Sequence, residues 1–188
     1  MKAVLQIILF EPAGDVLAFL PGQEEIDETQ KMIVEKLALL KKQSECVVLC
    51  LYANLPPHEQ NKVFIQVGGN KRKVILSTNI AETSVTIPGV KYVVDCGLVK
   101  QRVFKNTTGV DALQVTTISK SSATQRAGRA GRVGPGKCFR VYSEETHDQF
   151  QEVTTPEILR CNLSGVILSL KAIGIKDVSK VDFLDRPE

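Results

Sequence analysis

Five apolar residues in succession, from Val16 to Leu20, stop at Pro21-Gly22, and this short unbroken run constrains the fold more than any other feature of the chain. A strand with one wet face alternates apolar and polar residues. A run that is apolar at every position belongs to a strand covered on both faces, as in a parallel sheet held between helices. Similar strand-length segments follow at 47–52, 73–77 and 90–95, with a further strand-like run, CFRVY, at 138–142. A long helix is expected after the first strand. Glu24, Glu25 and Asp27 fall in its first turn, where the macrodipole favours acids, and Lys36, Lys41 and Lys42 fall near its end. Ile26, Ile33, Leu37 and Leu40 mark its buried face. Residues 56–66 predict a second helix and Gly68-Gly69-Asn70 a turn, while Leu159, Leu163, Val166, Ile167 and Leu170 predict an amphipathic helix from Thr155-Pro156 to near Gly174. Residues 99–105 and 112–118 alternate and pair as an antiparallel hairpin around Asn106-Thr107-Thr108-Gly109. The expected fold class is α/β, with three α/β/α layers, a mostly parallel sheet and an antiparallel β-hairpin insertion.

At 188 residues, with 43% hydrophobic and 24% charged, the chain is long enough for a full core and reads as globular. A net charge of +3 permits a nucleic-acid partner without demanding one, so any basic footprint is local, as at Lys71-Arg72-Lys73 and in an arginine-rich stretch farther on. The five cysteines, Cys46, Cys50, Cys96, Cys138 and Cys161, are odd in number and lack C-x-x-C spacing, which predicts free thiols in a reducing compartment. After Met1-Lys2 an apolar segment runs to Phe10; one lysine and no small-residue cleavage site argue for a packed lead-in helix rather than a signal peptide. No apolar run approaches the roughly 20 residues of a membrane span. A nuclear or cytoplasmic protein with no membrane partner is expected.

The arginine-rich stretch is QRAGRAGR at 125–132, with Arg126, Arg129 and Arg132 on every third residue and Ala127, Gly128, Ala130 and Gly131 between them. Residues three apart on a helix share a face, so the three guanidiniums are expected on one surface, with small neighbours that let a ligand or another backbone approach. Guanidinium is always charged and matches phosphoryl oxygens with a planar fork of donors. A merely solvated face does not need glycine, which costs a helix roughly 1 kcal/mol relative to alanine. In a second stretch, STNIAETSVTIPG at 77–89, the hydroxyls of Ser77, Thr78, Thr83, Ser84 and Thr86 and the amide of Asn79 crowd the C-terminal end of a strand. Ligands of open α/β sheets bind at that edge, and such donors suit a phosphate chain.

QRAGRAGR resembles motif VI of the superfamily 2 helicases, and its leading Gln125 resembles the DEAH/RHA branch. The resemblance implies that Arg129 and Arg132 are arginine fingers reaching the γ-phosphate of a nucleotide held by another domain. Gln125 would help position that phosphate and the attacking water, Arg126 would be structural or would assist at the nucleotide, and Gly128 would leave it room. Residues 14–27 are similar to motif IV, which implies backbone contact to nucleic acid through Gly22 and Gln23; Pro21 stands where threonine is common. YANLPPHEQNKVF resembles the stretch whose closing phenylalanine, here Phe64, stacks on the nucleotide base; a core side chain is the plain alternative. STNIAETSVTIPG is similar to motif V, which grips the RNA backbone, above all through Thr83, with Ser77, Thr78 and Ser84 beside it, and also senses the nucleotide, to which Asn79 is assigned. Pro88 replaces the aspartate that many members use to hold the ribose. The hairpin matches a strand-separating wedge of that family, or else completes a sheet edge.

Gly131, Gly136 and Lys137 reproduce the frame of a phosphate-binding P-loop, but Cys138 stands where its hydroxyl belongs, and the run follows a helix and opens a strand, the reverse of a P-loop. No D-E-x-H motif occurs either. The resemblance, which extends from Gly14 to about Asp185, thus implies the second RecA-like lobe of an ATP-dependent RNA helicase, inactive alone. It divides the chain into a lead-in at 1–13, the RecA-like domain at 14–155, and at 156–188 an exit segment toward a winged-helix domain. ATP and Mg²⁺ would both need a missing domain 1. Single-stranded RNA, domain 1 and the winged-helix region are the implied partners, with an activating protein admissible. The alternative is a catalytically dead RNA- or protein-binding module.

Overall fold

Along β1 (Asp15–Phe19) successive side chains enter two different cores: Val16 and Ala18 pack on one face of the sheet, Leu17 and Phe19 on the other. This two-sided burial is why the run is apolar at every position. The computed structural model describes residues 1–68, 71–105, 109–132 and 134–186. They divide into two units, one of Met1–Val99 with Thr117–Val153 and the other of Lys100–Thr116 with Thr154–Glu188.

In the first unit β1 is the central strand. It is flanked by β2 (Cys46–Leu51), β3 (Arg72–Ser77), β4 (Val90–Asp95) and β7 (Lys137–Arg140) in the order β2-β3-β1-β4-β7, and every pairing is parallel. One face is covered by α1 (Lys2–Phe10) and α2 (Gln23–Leu39), through Val4, Ile7, Ile26, Ile33 and Leu37. Burying each of these side chains contributes roughly 1.5–3 kcal/mol. Leu40, expected on the same stripe, is 45% exposed because α2 ends at Leu39 and Lys41 takes a left-handed φ of 55°. The other face receives Val63, Ala81, Ile87 and Ala130.

The expected second helix is cut short. It spans α3 (Pro57–Gln60) and passes into a 3₁₀ turn at Asn61–Phe64. The buried ammonium of Lys73 lies at its end, taking the carbonyl of Val63 at 2.9 Å and that of Ile65 at 3.4 Å. The expected basic footprint at 71–73 also changes meaning. Lys73 is 3% exposed and paired with Asp15, and Arg72 donates to the carbonyls of Ile7, Glu11 and Pro12 while lying over the Tyr92 ring. These two cations clamp the fold, and only Lys71 is exposed.

The first unit also holds α6 (Glu144–Asp148); the second holds most of a two-stranded antiparallel sheet, β5 (Leu98–Lys105) with β6 (Val110–Thr117), and α7 (Ser164–Ala172). The turn at 106–108 lies outside the described residues, as does most of that at 68–70. The helix expected from Pro156 begins instead at Ser164, after a 3₁₀ turn at Glu157–Leu159. Side chains compete for the backbone here: Asp111 accepts from the Asn162 N–H at 2.9 Å and Asn162 accepts from the Ser164 N–H at 2.7 Å. No residue of α7 is buried.

Candidate functional site

Ser119 opens α5 (Lys120–Ala127) by accepting from the Ser122 N–H at 3.1 Å. The chain then continues to Arg132 in tight turns, with Arg129 N–H bonded to the Arg126 carbonyl and Ala130 N–H to that of Ala127, both at 3.1 Å. The three arginines do not share a surface. Arg126 falls on the face of Ala123 and Ala130, which packs inward, and its guanidinium is 0% exposed. Its Nη1 donates to Asp95 at 2.8 Å and to the Leu98 carbonyl at 3.2 Å, its Nε donates to Glu82 at 3.0 Å, and it lies 4.8 Å from the centre of the Phe19 ring. Burial alone would lower its pKa; Asp95 and Glu82 more than offset that, and the net shift is upward. Of the two roles expected for Arg126, structural or assisting at the nucleotide, this burial suits the structural one; its Nη2 has no partner among the described residues.

Arg129 and Arg132 make no ion pair with these carboxylates, although the charge of Glu82 still acts on Arg129. The Nη1 of Arg129 reaches the Val85 carbonyl at 3.4 Å, a long bond, and its buried Nε has no partner. Arg132 is exposed and donates to the Thr86 hydroxyl. Among the described residues neither is ion-paired. Burial, and after it the charge of Arg132, holds the Arg129 pKa below the usual guanidinium value. Gln125 and Gly128 are exposed nearby. Nothing among the described residues requires glycine at 131, where an added Cβ meets no atom within 4 Å, and at 128 it makes only ordinary contacts from 3.4 Å. Space is therefore open at Gly131, between the two arginines.

The segment that receives these arginines runs the length of the sheet. It starts at Ser77, level with Phe19 and Leu51, and ends at Gly89, whose carbonyl accepts from Asp15 N–H at the other end of β1. Ser77, expected at the RNA, is fully buried, with its hydroxyl set against the carbonyls of Leu51 and Thr78. Thr78 is half-buried and Asn79 exposed; the single turn α4 (Ile80–Thr83) then brings Thr83 and Ser84 to the surface with their hydroxyls 3.5 Å apart. Gly22 and Gln23 start α2 at the same sheet edge, where Leu20 N–H bonds the Ser77 carbonyl; Gly22 is buried and Gln23 exposed. Phe64 is 37% exposed, because its neighbour Val63 takes the core position on the face that also holds Ala130.

Two carboxylates at the heart of this arrangement, Glu82 and Asp95, were not singled out by sequence reasoning. Asp95 ends β4 and accepts from Arg126, from Gly97 N–H at 3.0 Å and from the Tyr142 hydroxyl at 2.9 Å. A charged residue ending an apolar strand opposite a helix with Ala, Arg and Ala at positions 123, 126 and 130 was the available signal. Lys137, the lysine of the P-loop-like frame, is bonded to the Glu11 carboxylate at 2.7 Å, and Gly136 is held so close that a Cβ would stand 2.0 Å from the Ala130 oxygen. Lys137 and Gly136 are thus held by an ion pair and by close backbone packing. Among the described residues no three His, Cys, Asp or Glu side chains come together to hold a metal ion.

The helicase conserved C-terminal domain family matches residues 1–134. The chain is 46% identical over 188 residues to "Pre-mRNA-splicing factor ATP-dependent RNA helicase DEAH10" of Arabidopsis thaliana, covering 100% of this chain and 26% of that protein. It is 46% identical over 190 residues to "Probable ATP-dependent RNA helicase DHX35" of Homo sapiens, covering 100% and 27%. The crystal structure of the Escherichia coli DEAH/RHA helicase HrpB superposes with a TM-score of 0.88 at 35% identity, over 100% of this chain and 23% of that one. The chain thus spans about a quarter of the length of the proteins it matches.

Proposed function

The chain belongs to the helicase conserved C-terminal domain family, in its DEAH/RHA form with a RecA-like fold, and from that premise we propose that it works as the second lobe of an ATP-dependent RNA helicase. One observation carries the reading: of three equally spaced arginines, Arg126 is paired with buried carboxylates, whereas Arg129 and Arg132 have no ionic partner among the described residues. Two guanidiniums held in that way fit the terminal phosphates of a nucleotide. ATP, when bound, supplies the phosphoryl group whose transfer to water drives the cycle. Arg129 and Arg132 stabilise charge on that group as fingers, Gln125 orients the phosphate and the water, Gly128 gives access, and the exposed ring of Phe64 stacks on the base. Stacking on a face that every base possesses makes base selectivity weak.

Thr83 and Ser84, with Thr78, Gln23 and the backbone at Gly22, are assigned to the phosphates of a single RNA strand, which reads shape and charge rather than sequence. Asn79 lies on the same turn and is assigned to nucleotide sensing. Mg²⁺ and the β-phosphate are assigned to a first RecA-like lobe of the same full-length protein, and a winged-helix region is its other partner. No described helix is long and apolar enough to cross a membrane, and a nuclear or cytoplasmic place suits the reading. The test is ATP turnover by the pure 188-residue chain with and without RNA. No hydrolysis above background is expected; robust magnesium-dependent hydrolysis would refute the division of labour between lobes.

A further inference from the structure

The three arginines form a ladder with the segment that follows β3: Arg126 bonds Glu82, Arg129 bonds the Val85 carbonyl, and Arg132 bonds the Thr86 hydroxyl. The rungs are unequal. The first is a buried ion pair at 3.0 Å whose guanidinium is also fixed by Asp95 at 2.8 Å. The second is a 3.4 Å bond to a neutral carbonyl, and the third is a solvent-exposed bond to a neutral hydroxyl. A phosphate arriving at Arg129 and Arg132 would replace the two weak rungs at little cost and leave the first in place.

We propose that the Arg126–Glu82 pair is the pivot that couples nucleotide binding to the RNA grip, with Glu82 as a positioning residue. This rests on the reading that Arg129 and Arg132 serve the nucleotide and Thr83 and Ser84 the RNA. Glu82 is the residue immediately before Thr83 in the single turn α4, and its neighbour Ala81 is 1% exposed, so the turn is anchored on one side by the core and on the other by Arg126. Val85 and Thr86, released when their arginines turn to phosphate, lie one and two residues beyond Ser84. Movement of that half of the segment about a fixed Glu82 then reorients the two exposed hydroxyls. Nucleotide and RNA thereby bias the same element, which is what a coupling between sites requires.

The experiment compares Glu82→Gln with the wild type in the full-length protein, measuring ATP turnover with and without RNA and the RNA concentration giving half-maximal stimulation. Glu82→Gln keeps the shape and one acceptor but removes the charge. The ratio of stimulated to basal turnover is expected to fall about tenfold, with half-maximal stimulation moved to higher RNA concentration. A ratio within about twofold of the wild type overturns the proposal, as does a proportionate fall of both rates, which is what a merely structural role would give. If Glu82→Gln does not fold, Glu82→Asp, which keeps the charge one methylene short, is judged by the same ratio. Arg132→Ala in the same assay separates the two claims: if it leaves turnover intact, the parent reading fails; if it abolishes turnover while Glu82→Gln keeps the ratio, only the pivot fails.

Discussion

The Nη1 of Arg126 stands 2.8 Å from Oδ1 of Asp95, and both side chains are 0% exposed. Asp95 closes the strand β4, so this pair ties the end of the central sheet to the helix that leads to Arg129 and Arg132. A guanidinium so placed belongs to the fold, while its two successors do not.

The three arginines should therefore separate in stability. Arg126→Ala leaves buried Asp95 and Glu82 without their cation, and breaking a buried pair in this way costs about 3–5 kcal/mol. Arg129→Ala and Arg132→Ala remove no ion pair and should each stay within about 0.5 kcal/mol of the wild type. Urea denaturation of the three variants checks this, and equal losses would contradict the split.

Gly136→Ala forces a Cβ to within 2.0 Å of the Ala130 backbone oxygen. Either the turn or the strand β7 must shift, and the loss expected is about 1–3 kcal/mol, the range for overpacking. Gly131→Ala meets no atom within 4 Å and should leave the thermal midpoint nearly unchanged. If its open space is for a ligand, the same substitution lowers RNA-stimulated ATP turnover.

Alkaline pH should destabilise the fold through two thiols. Burial, and then the charge of Asp27 for Cys50 and of Asp95 for Cys138, pushes each from 9.0 up to about 11. The native state thus holds these protons more tightly than the unfolded chain. The resulting stability is complete below pH 9.0 and is lost as pH rises through about 11. The urea midpoint of the wild type should fall across this window more steeply than that of a Cys50→Ala/Cys138→Ala variant; parallel curves would contradict the assignment.

Much of this architecture is legible in local pattern. The uninterrupted apolar run at 16–20 foretells a strand with two cores because burial on both faces leaves no position for a polar side chain. Residues whose structure depends on distant partners are less legible. The end of the helix expected at 56–66 meets the distant Lys73, and the helix expected from Pro156 starts late, where Asp111 and Asn162 take the N–H groups of Asn162 and Ser164. In the site, spacing alone makes Arg126, Arg129 and Arg132 equivalent. What separates them is the inward face set by Ala123 and Ala130, and the acids that wait there, Glu82 and Asp95, are 44 and 31 residues away in sequence.

The most direct measurement is RNA-stimulated ATP turnover by the full-length protein carrying Arg132→Ala, with its fold verified by an unchanged unfolding midpoint. Loss of a finger predicts a fall of about 10³-fold or more in kcat. Turnover within a few-fold of the wild type would mean that this guanidinium, though unpaired and exposed, does not complete a neighbour's triphosphate site.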